Sequence, residues 1–324
     1  ALQIYMNEIL GGERTVTVDQ RVPVYFVRKE ALESTPAGQP VPFVRAEFGP
    51  TTGHYYAQWD DSDGVKVLFE HLDLTDLGYR IVAGDVDAHG RPVDPRHVGM
   101  YQMAMAPQTV SEMTFDPEKG TVRVTASFRE EWTWNLQLSA MDWSREGRRA
   151  PTHHHVVFQG RRPGALARRV LDIYRDRAND SSVSAPEQRA SLTTFRRGDL
   201  AVAARYEFPS EADFPSSPIF VPRQGGVPGG GDGWVVVPVL ADDGFRLECF
   251  DASNVSAGPV ATLAGPHRER LPFLLHAIWM EQATEPTSID RLLFADDVDR
   301  VAVDALPDDL RSVVRRVASE LSLP

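Results

Sequence analysis

The sequence has little cysteine, a shortage of positive charge and no long apolar run. Its 324 residues include one cysteine, Cys249, which excludes an internal disulfide and any zinc site built from several cysteines. No stretch approaches the roughly 20 apolar residues that span a bilayer. The net charge of −12 disfavours nucleic acid and anionic lipid as partners, because both require a clustered cationic surface. The first residues show no basic leader before an apolar core, so we expect a cytoplasmic protein, with peripheral membrane attachment left open.

Turn-forming residues and alternating segments are abundant instead. Glycine and proline number 24 each, which suits a fold with many turns between short strands. Alternation of apolar and polar residues predicts strands at residues 15–18, 22–27, 44–48, 54–59, 65–69, 110–115 and 121–126. Turns that contain aspartate and glycine separate alternating segments at residues 60–64, 116–120 and 242–244. We assign these aspartates to turn structure. The repeated pattern of strand, turn and strand predicts successive antiparallel blades.

Two segments have helical periodicity. Residues 163–174 place Leu166, Val170 and Ile173 on one face, and residues 307–317 begin with acidic residues and continue with arginines. We predict a β domain over residues 1–283 with a helical insert near 163–178. We predict a C-terminal extension over residues 284–324 that ends in an amphipathic helix, and expect both helices to lie on the surface of the β core.

Nine histidines are the only plentiful candidates for metal ligands. Residues 53–61 read Gly-His-Tyr-Tyr-Ala-Gln-Trp-Asp-Asp, and residues 275–279 read Leu-His-Ala-Ile-Trp. A segment Pro-Ile-Phe-Val-Pro-Arg at residues 218–223 and a hairpin-rich run precede the second motif. We expect His54 and His276 each to lie on a strand. Strands that converge on one axis can each contribute an imidazole to a shared metal.

These motifs resemble the carotenoid cleavage oxygenase superfamily, which includes stilbene-cleaving oxygenases and retinoid isomerases. The resemblance begins near residue 7, ends near Trp279 and corresponds to roughly the C-terminal two-thirds of a family member. It implies an all-β fold, a β-propeller of the seven-bladed type, with this chain forming the later blades. It also implies Fe(II) held by four histidines from different blades, and it identifies His54 and His276 as two of them. Neutral imidazoles suit Fe(II), and open coordination positions admit dioxygen.

The chain also departs from the family pattern. The other two ligand histidines would fall before residue 1, so we expect an N-terminal segment or a second chain to complete the propeller. Family members orient their ligand imidazoles with glutamates, and here Ser217 and Gln137 stand at two of those positions. Neither side chain brings a negative charge, which predicts a weaker or electronically altered iron site.

The resemblance implies a function in oxidative cleavage. The substrate would be a conjugated C=C bond in a carotenoid, apocarotenoid or stilbene-like molecule, with dioxygen as the second substrate. Trp59 and Trp279 are candidates for lining an apolar tunnel, although core packing is the usual role of tryptophan. Two alternatives stay open: a propeller with an altered or lost metal that acts as a binding or assembly module, and an isomerase on the same fold.

The remaining histidines are weaker candidates for metal ligands. His153 and His155 would share one face of a strand about 7 Å apart and could chelate a metal. We favour an exposed or cavity-lining strand for this triplet. His71 weakly echoes the family's second ligand motif, and His89 and His97 lie in loop sequence.

Overall fold

The structure, a computed structural model, describes most of the chain. The described residues are 21–49, 52–60, 64–72, 78–99, 101–103, 108–130, 138–142, 151–162, 164, 166–173, 187–227, 229–242, 244–265, 274–280 and 307–321. The chain divides into two compact units, Ala1–Trp279 and Met280–Pro324. Our predicted boundary after residue 283 stays a prediction, as do the strand at residues 15–18 and the role of Gln137, which lie outside the described residues.

The first unit is built mainly from antiparallel strands. They are β1 (Val22–Phe26), β2 (Val44–Phe48), β3 (Thr52–Asp60), β4 (Gly64–Leu72), β5 (Gly78–Arg80), β6 (Tyr101–Met103), β7 (Gln108–Asp116), β8 (Thr121–Glu130), β9 (Leu138–Ala140), β10 (His153–Phe158), β11 (Ser191–Arg196), β12 (Val202–Glu207), β13 (Phe214–Pro215), β14 (Ile219–Pro222), β15 (Gly233–Ala241), β16 (Gly244–Asp251) and β17 (Pro259–Ala264). The helices are α1 (Lys29–Ser34) and α2 (Arg168–Ile173) in this unit and α3 (Asp308–Leu321) in the second, with short 3₁₀ turns at Pro95–His97 and Val255–Ala257.

Three sheets carry most of the first unit. Their strand orders are β3-β4-β7-β8, β12-β11-β10-β9 and β13-β15-β16-β17, with β14 also paired to β15. The pairs β1-β2 and β5-β6 form two smaller sheets. The prediction of a mostly β-sheet protein with few helices is confirmed, and no sheet closes on itself within the described residues. The seven-bladed count stays a prediction.

The predicted turns occur where the sequence placed them. Strands β3 and β4 pair from Asp60 opposite Gly64, and β15 and β16 pair from Ala241 opposite Gly244. Between β7 and β8, the Asp116 carboxylate accepts the backbone N–H groups of residues 118 and 119 at 3.0 and 3.1 Å. This confirms turn structure as the role of Asp116.

The sheet that contains β10 packs on both of its faces. One face joins β4 and β7 in a cluster of buried apolar residues, namely Leu68, Val110, Met141, Val156, Phe158, Phe195 and Leu200. The other face joins β15 and β16 in a larger cluster that includes Val157, Leu192, Val235, Val237 and Phe250. Successive side chains of a strand point to opposite faces, so the odd and even residues of β10 enter different cores. Strand β10 is therefore central, and its polar residues are enclosed.

In the second unit the structure describes helix α3. Its first turn contains Asp308, and the backbone N–H of Arg311 donates to the Pro307 carbonyl at 2.8 Å. Leu310 and Val313 are exposed within the described residues.

Candidate metal centre

The two predicted iron ligands occupy different kinds of backbone. His54 lies on β3, where the register pairs it with Glu70 of β4. A register shift between residues 52 and 54 marks a bulge next to this position. The side chain of His54 lies outside the described part, so its role as an iron ligand stays a prediction.

His276 does not lie on a strand, which corrects our expectation. It belongs to residues 274–280, an irregular exposed segment that follows β17 after an undescribed interval. At the start of the described segment, the Ser216 hydroxyl accepts the N–H of Leu274 and donates to its C=O, each at 2.6 Å. The His276 side chain is exposed, and its role as a ligand stays a prediction.

Ser217 contacts the segment that contains His276. Its backbone N–H donates to the Leu274 carbonyl at 3.0 Å, and only 4% of the residue is exposed. This contact joins the buried connection between β13 and β14 to a residue two positions before His276. Trp279 is half exposed on the same segment, whereas the side chain of Trp59 lies outside the described part.

A buried carboxylate and a buried imidazole meet between two sheets. Glu70 of β4 and His154 of β10 are both fully buried, and His154 Nε2 lies 3.3 Å from Glu70 Oε1. Neither nitrogen of the His154 ring has a hydrogen-bond partner within the described part of the chain. Burying a polar group without a partner costs about 1–3 kcal/mol, so this ring requires an explanation.

Strand alternation accounts for the position of this pair. Leu68 and Glu70 share one face of β4, and His154, Val156 and Phe158 share one face of β10. Because Leu68, Val156 and Phe158 belong to one buried cluster, Glu70 and His154 enter the same inter-sheet layer. The apolar cluster thus encloses the pair and excludes water from it.

Tyr56 borders the same layer. Its ring lies edge-on to the His154 ring at a centroid separation of 5.9 Å, and its hydroxyl bonds the Ser139 hydroxyl at 2.6 Å. Burial and the nearby Glu70 carboxylate raise the pKa of Tyr56, whereas the Ser139 bond lowers it. The phenol therefore stays protonated at neutral pH and contributes no second negative charge.

His155 faces the opposite core and behaves differently. Its Nδ1 lies 2.9 Å from the Thr194 hydroxyl, and its ring stacks on Phe220 at a centroid distance of 6.0 Å. Burial, together with a smaller effect of the neighbouring His154 and His153, lowers the pKa of His155 to about 3. His155 is thus a neutral core imidazole with a hydroxyl partner. Our expectation of an exposed or lining strand is wrong for His154 and His155, because β10 is covered on both faces.

His71 belongs to a third environment. It is fully buried, stacks on Phe69 at 5.5 Å and meets Phe48 edge-on at 5.8 Å. Adjacent residues of a strand face opposite sides, which separates His71 from the Glu70–His154 layer.

Comparison with known proteins now assigns the family. Residues 19–281 match the model of the family described as retinal pigment epithelial membrane protein. The chain belongs to this family. A curated relative, apocarotenoid-15,15'-oxygenase from Synechocystis, is 30% identical over 121 residues, which cover 37% of this chain and 23% of the relative. The carotenoid oxygenase resemblance seen in the sequence is therefore confirmed.

Two solved structures show weaker likenesses. A single-residue mutant of the Synechocystis apocarotenoid oxygenase has a TM-score of 0.46 at 18% identity, covering 80% of this chain and 43% of that one. Lignostilbene dioxygenase from Pseudomonas brassicacearum has a TM-score of 0.41 at 17% identity, covering 82% and 54%. With scores this low, the assignment rests on the family model. The chain matches only part of the length of each relative.

The resemblance to carotenoid oxygenases implies iron, and the described residues provide a partial fit. They contain no group of three or more His, Cys, Asp or Glu side chains that could hold a metal ion. They do include two of the histidines that the resemblance implies, His54 on β3 and His276 on residues 274–280. Imidazole suits a divalent first-row metal. The described part of the chain also has no helix that is long and apolar enough to cross a membrane.

Sequence reasoning missed the Glu70–His154 pair for an identifiable reason. The two residues are far apart in the chain and meet only because two sheets pack face to face. A signal was present, since Val156, Val157 and Phe158 are apolar on both faces of β10, which is typical of a central strand. That pattern, applied to the adjacent histidines, predicts burial.

Proposed function

We propose that this protein is a non-haem iron oxygenase that cleaves a conjugated C=C bond. The observation that carries the proposal is the family match over residues 19–281. The names of the relatives, an apocarotenoid oxygenase and a lignostilbene dioxygenase, indicate carotenoid, apocarotenoid or stilbene-like molecules as the substrate class. Cleavage by a dioxygenase would use dioxygen as the second substrate.

His54 and His276 would bind Fe(II) in this proposal. Bound iron would activate dioxygen next to the alkene. Two imidazoles do not complete the four-histidine site that the resemblance implies, so other parts of the native protein would contribute the rest. Because Ser217 carries no charge, the metal affinity would be lower than with a glutamate at this position.

The segment around His276 supports an apolar substrate. Leu275, Ile278 and Trp279 each expose a large part of their apolar side chains on residues 274–280. The bonds from Ser216 and Ser217 to Leu274 hold the start of this segment against the sheet that contains β15. In the proposed function, these side chains contact the polyene or stilbene while His276 contributes to the iron site.

The test is product analysis with metal analysis. Protein from the full native reading frame, loaded with Fe(II) without oxygen, is mixed with an apocarotenal or a hydroxystilbene and then exposed to air. Two aldehyde fragments per substrate are expected, and His276→Ala should abolish them and lower the bound iron. His89→Ala, an exposed histidine in a loop, is the matched control and should change neither quantity. Full activity and full iron content in the His276→Ala protein would refute the ligand assignment.

A second candidate function is a binding or assembly module without oxidative chemistry. The uncharged serine at position 217 favours it, because the family's orienting carboxylate is missing there. This function predicts tight binding of the apolar substrate with no fragments and no iron. A geometric isomer of the substrate as the sole product would instead identify an isomerase.

A further inference from the structure

Arg161, which follows β10, is a buried arginine without a counterion in the described part of the chain. Only 7% of the residue is exposed, and its Nη2 is enclosed without a hydrogen-bond partner among the described residues. Burial lowers the pKa of the guanidinium, and no described carboxylate offsets this effect. Arginine nevertheless stays protonated in proteins. The position therefore holds an enclosed positive charge, which is costly unless an anion pairs with it.

Other partly enclosed arginines of the first unit show the usual arrangement, in which a carboxylate accompanies the guanidinium. They pair as Arg197 with Glu112, Arg246 with Asp213 and Glu248, and Arg169 with Asp85. All three of these arginines are less buried than Arg161. Arg161 is thus more enclosed than they are and lacks the partner that each of them has.

The acidic groups near this position act on the adjacent arginine instead. Arg162 Nη2 donates to the Asp213 carbonyl at 2.8 Å, and the guanidinium lies 5.7 Å from the centroid of the Phe214 ring. Burial lowers the pKa of Arg162, and four negative charges partly offset this effect, namely those of Glu187, Asp213, Glu211 and Asp242. Arg161 receives no such compensation from the described residues.

A cavity of about 160 Å³ lies beside Arg161. It is lined by Arg161, Arg162, Gly164, Glu187, Gln188 and Glu211. Glu187, Gln188 and Glu211 are exposed, so the cavity reaches the surface and a small molecule can enter it. A water molecule takes about 30 Å³ in the liquid, so the cavity has room for a ligand of several non-hydrogen atoms.

The backbone beside the cavity is fixed by the close approach of two segments. The Arg161 N–H donates to the Gln188 carbonyl at 2.9 Å, and the Gln188 N–H donates to the Arg161 carbonyl at 3.1 Å. Gly160 has a φ of +75°, and a Cβ at this position would clash with the Gln188 carbonyl oxygen. Because the backbone is already ordered, a ligand that binds Arg161 has less ordering to impose.

We propose that Arg161 is the recognition group of a binding site for a small molecule that carries one carboxylate or phosphate group. The planar guanidinium presents N–H donors that match two oxygens of such a group. The carboxylates of Glu187 and Glu211 at the rim would repel a second anionic group, which favours a ligand with a single one. The inference does not depend on iron or on the proposed function.

The test measures anion binding by calorimetry and by thermal unfolding, with protein from the full native reading frame. Inorganic phosphate and acetate are the probes, and each replaces chloride at constant ionic strength, which distinguishes a tetrahedral from a planar oxyanion. Arg161→Gln removes the charge, and Arg161→Lys keeps the charge without the planar fork. The matched control is Arg197→Gln, which removes an enclosed arginine that already has a carboxylate partner, Glu112.

The unmutated protein and the Arg197→Gln control should bind one of the two anions with a dissociation constant of about 1 mM or lower. Their melting temperatures should rise with the concentration of that anion. Arg161→Gln should weaken binding by about 10-fold or more, and Arg161→Lys should have an intermediate affinity. Without the anion, Arg161→Gln should melt no lower than the unmutated protein, because it removes an uncompensated charge.

Unchanged anion affinity in Arg161→Gln would overturn the inference, and so would the absence of binding of both anions to the unmutated protein at about 10 mM. A purely structural arginine would lower the melting temperature on substitution and leave its dependence on the anion unchanged. If neither Arg161 variant folds, crystals of the unmutated protein grown with selenate decide. An anomalous peak whose oxygens lie about 2.7–2.9 Å from the Arg161 nitrogens supports the site, and no peak there rejects it.

Discussion

At the scale of single residues, two adjacent histidines show how the local surroundings determine the partners of a buried imidazole. His154 and His155 are both buried, but among the residues that the structure describes only His155 has a hydroxyl partner, Thr194. The partner and the stacked Phe220 make His155 a satisfied core residue. His154 instead faces the Glu70 carboxylate, with Nε2 3.3 Å from Oε1.

Asp87 allows a residue-scale prediction about stability. Burial raises the pKa of its carboxyl, but the backbone N–H groups of Arg91 and His89 and the Arg91 guanidinium outweigh burial and lower the pKa overall. Asp87→Asn should therefore reduce the free energy of unfolding by about 1–3 kcal/mol at pH 7. Asp94→Asn, at an exposed turn that also accepts a backbone N–H, should cost much less. Urea unfolding measures both.

The pH dependence of the same variant follows from the sign of the shift. A carboxyl whose folded pKa is lowered stabilises the protein above its ordinary value of 3.8, and this contribution disappears as the pH falls through the folded value. The stability difference between the unmutated protein and Asp87→Asn should thus be full at pH 6 and shrink below about pH 4. A difference that stays constant down to pH 2.5 would contradict this account of Asp87.

Cys249 allows a second prediction. Burial raises the pKa of its thiol, and the negative charge of Asp251 adds to the effect. Iodoacetamide should therefore alkylate the folded protein more slowly than the unfolded protein at pH 8, and the rate should still rise with pH above 9 because the thiolate is the reactive form. Mass spectrometry over time provides the rate. A rate that levels off near pH 8 would show a lowered pKa instead.

At the scale of elements, the glycine that opens β4 is a sharp test of the hairpin. Gly64 has a φ of +74°, and a Cβ at this position would lie 2.6 Å from the Phe115 carbonyl oxygen. Gly64→Ala should destabilise the protein by about 2–4 kcal/mol, since backbone strain and a clash add. Gly38→Ala has a similar φ of +83° without a neighbour within 4 Å, and it should cost about 1–2 kcal/mol. Equal losses would mean that β4 and β7 are not packed as described.

The elements also show what sequence alone can predict. The turns around Asp116 and Gly244 were predictable, because turn chemistry is local and depends on a few adjacent residues. The start of α2 at Arg168 is later than the periodic segment from residue 163, since periodicity describes a face and does not define a boundary. The Glu70–His154 contact was not predictable, because it depends on how two sheets pack. The bonds between Ser216 and Leu274 were not predictable either, because the two residues are 58 positions apart in the chain.

At the scale of the whole molecule, the family match and the interior of the first unit address different questions. The match over residues 19–281 assigns the family, and the interior of the first unit contains a buried Glu70–His154 pair between the sheets of β4 and β10. The uncharged Ser217 distinguishes the chain from the pattern that the resemblance implies.

The most direct test is the position of the metal itself. Crystals of the native protein grown with Fe(II) without oxygen, with data collected on either side of the iron absorption edge, would locate the ion by anomalous scattering. The account predicts one peak about 2.0–2.3 Å from an imidazole nitrogen of His54 and of His276. An iron peak distant from both of these side chains would contradict it.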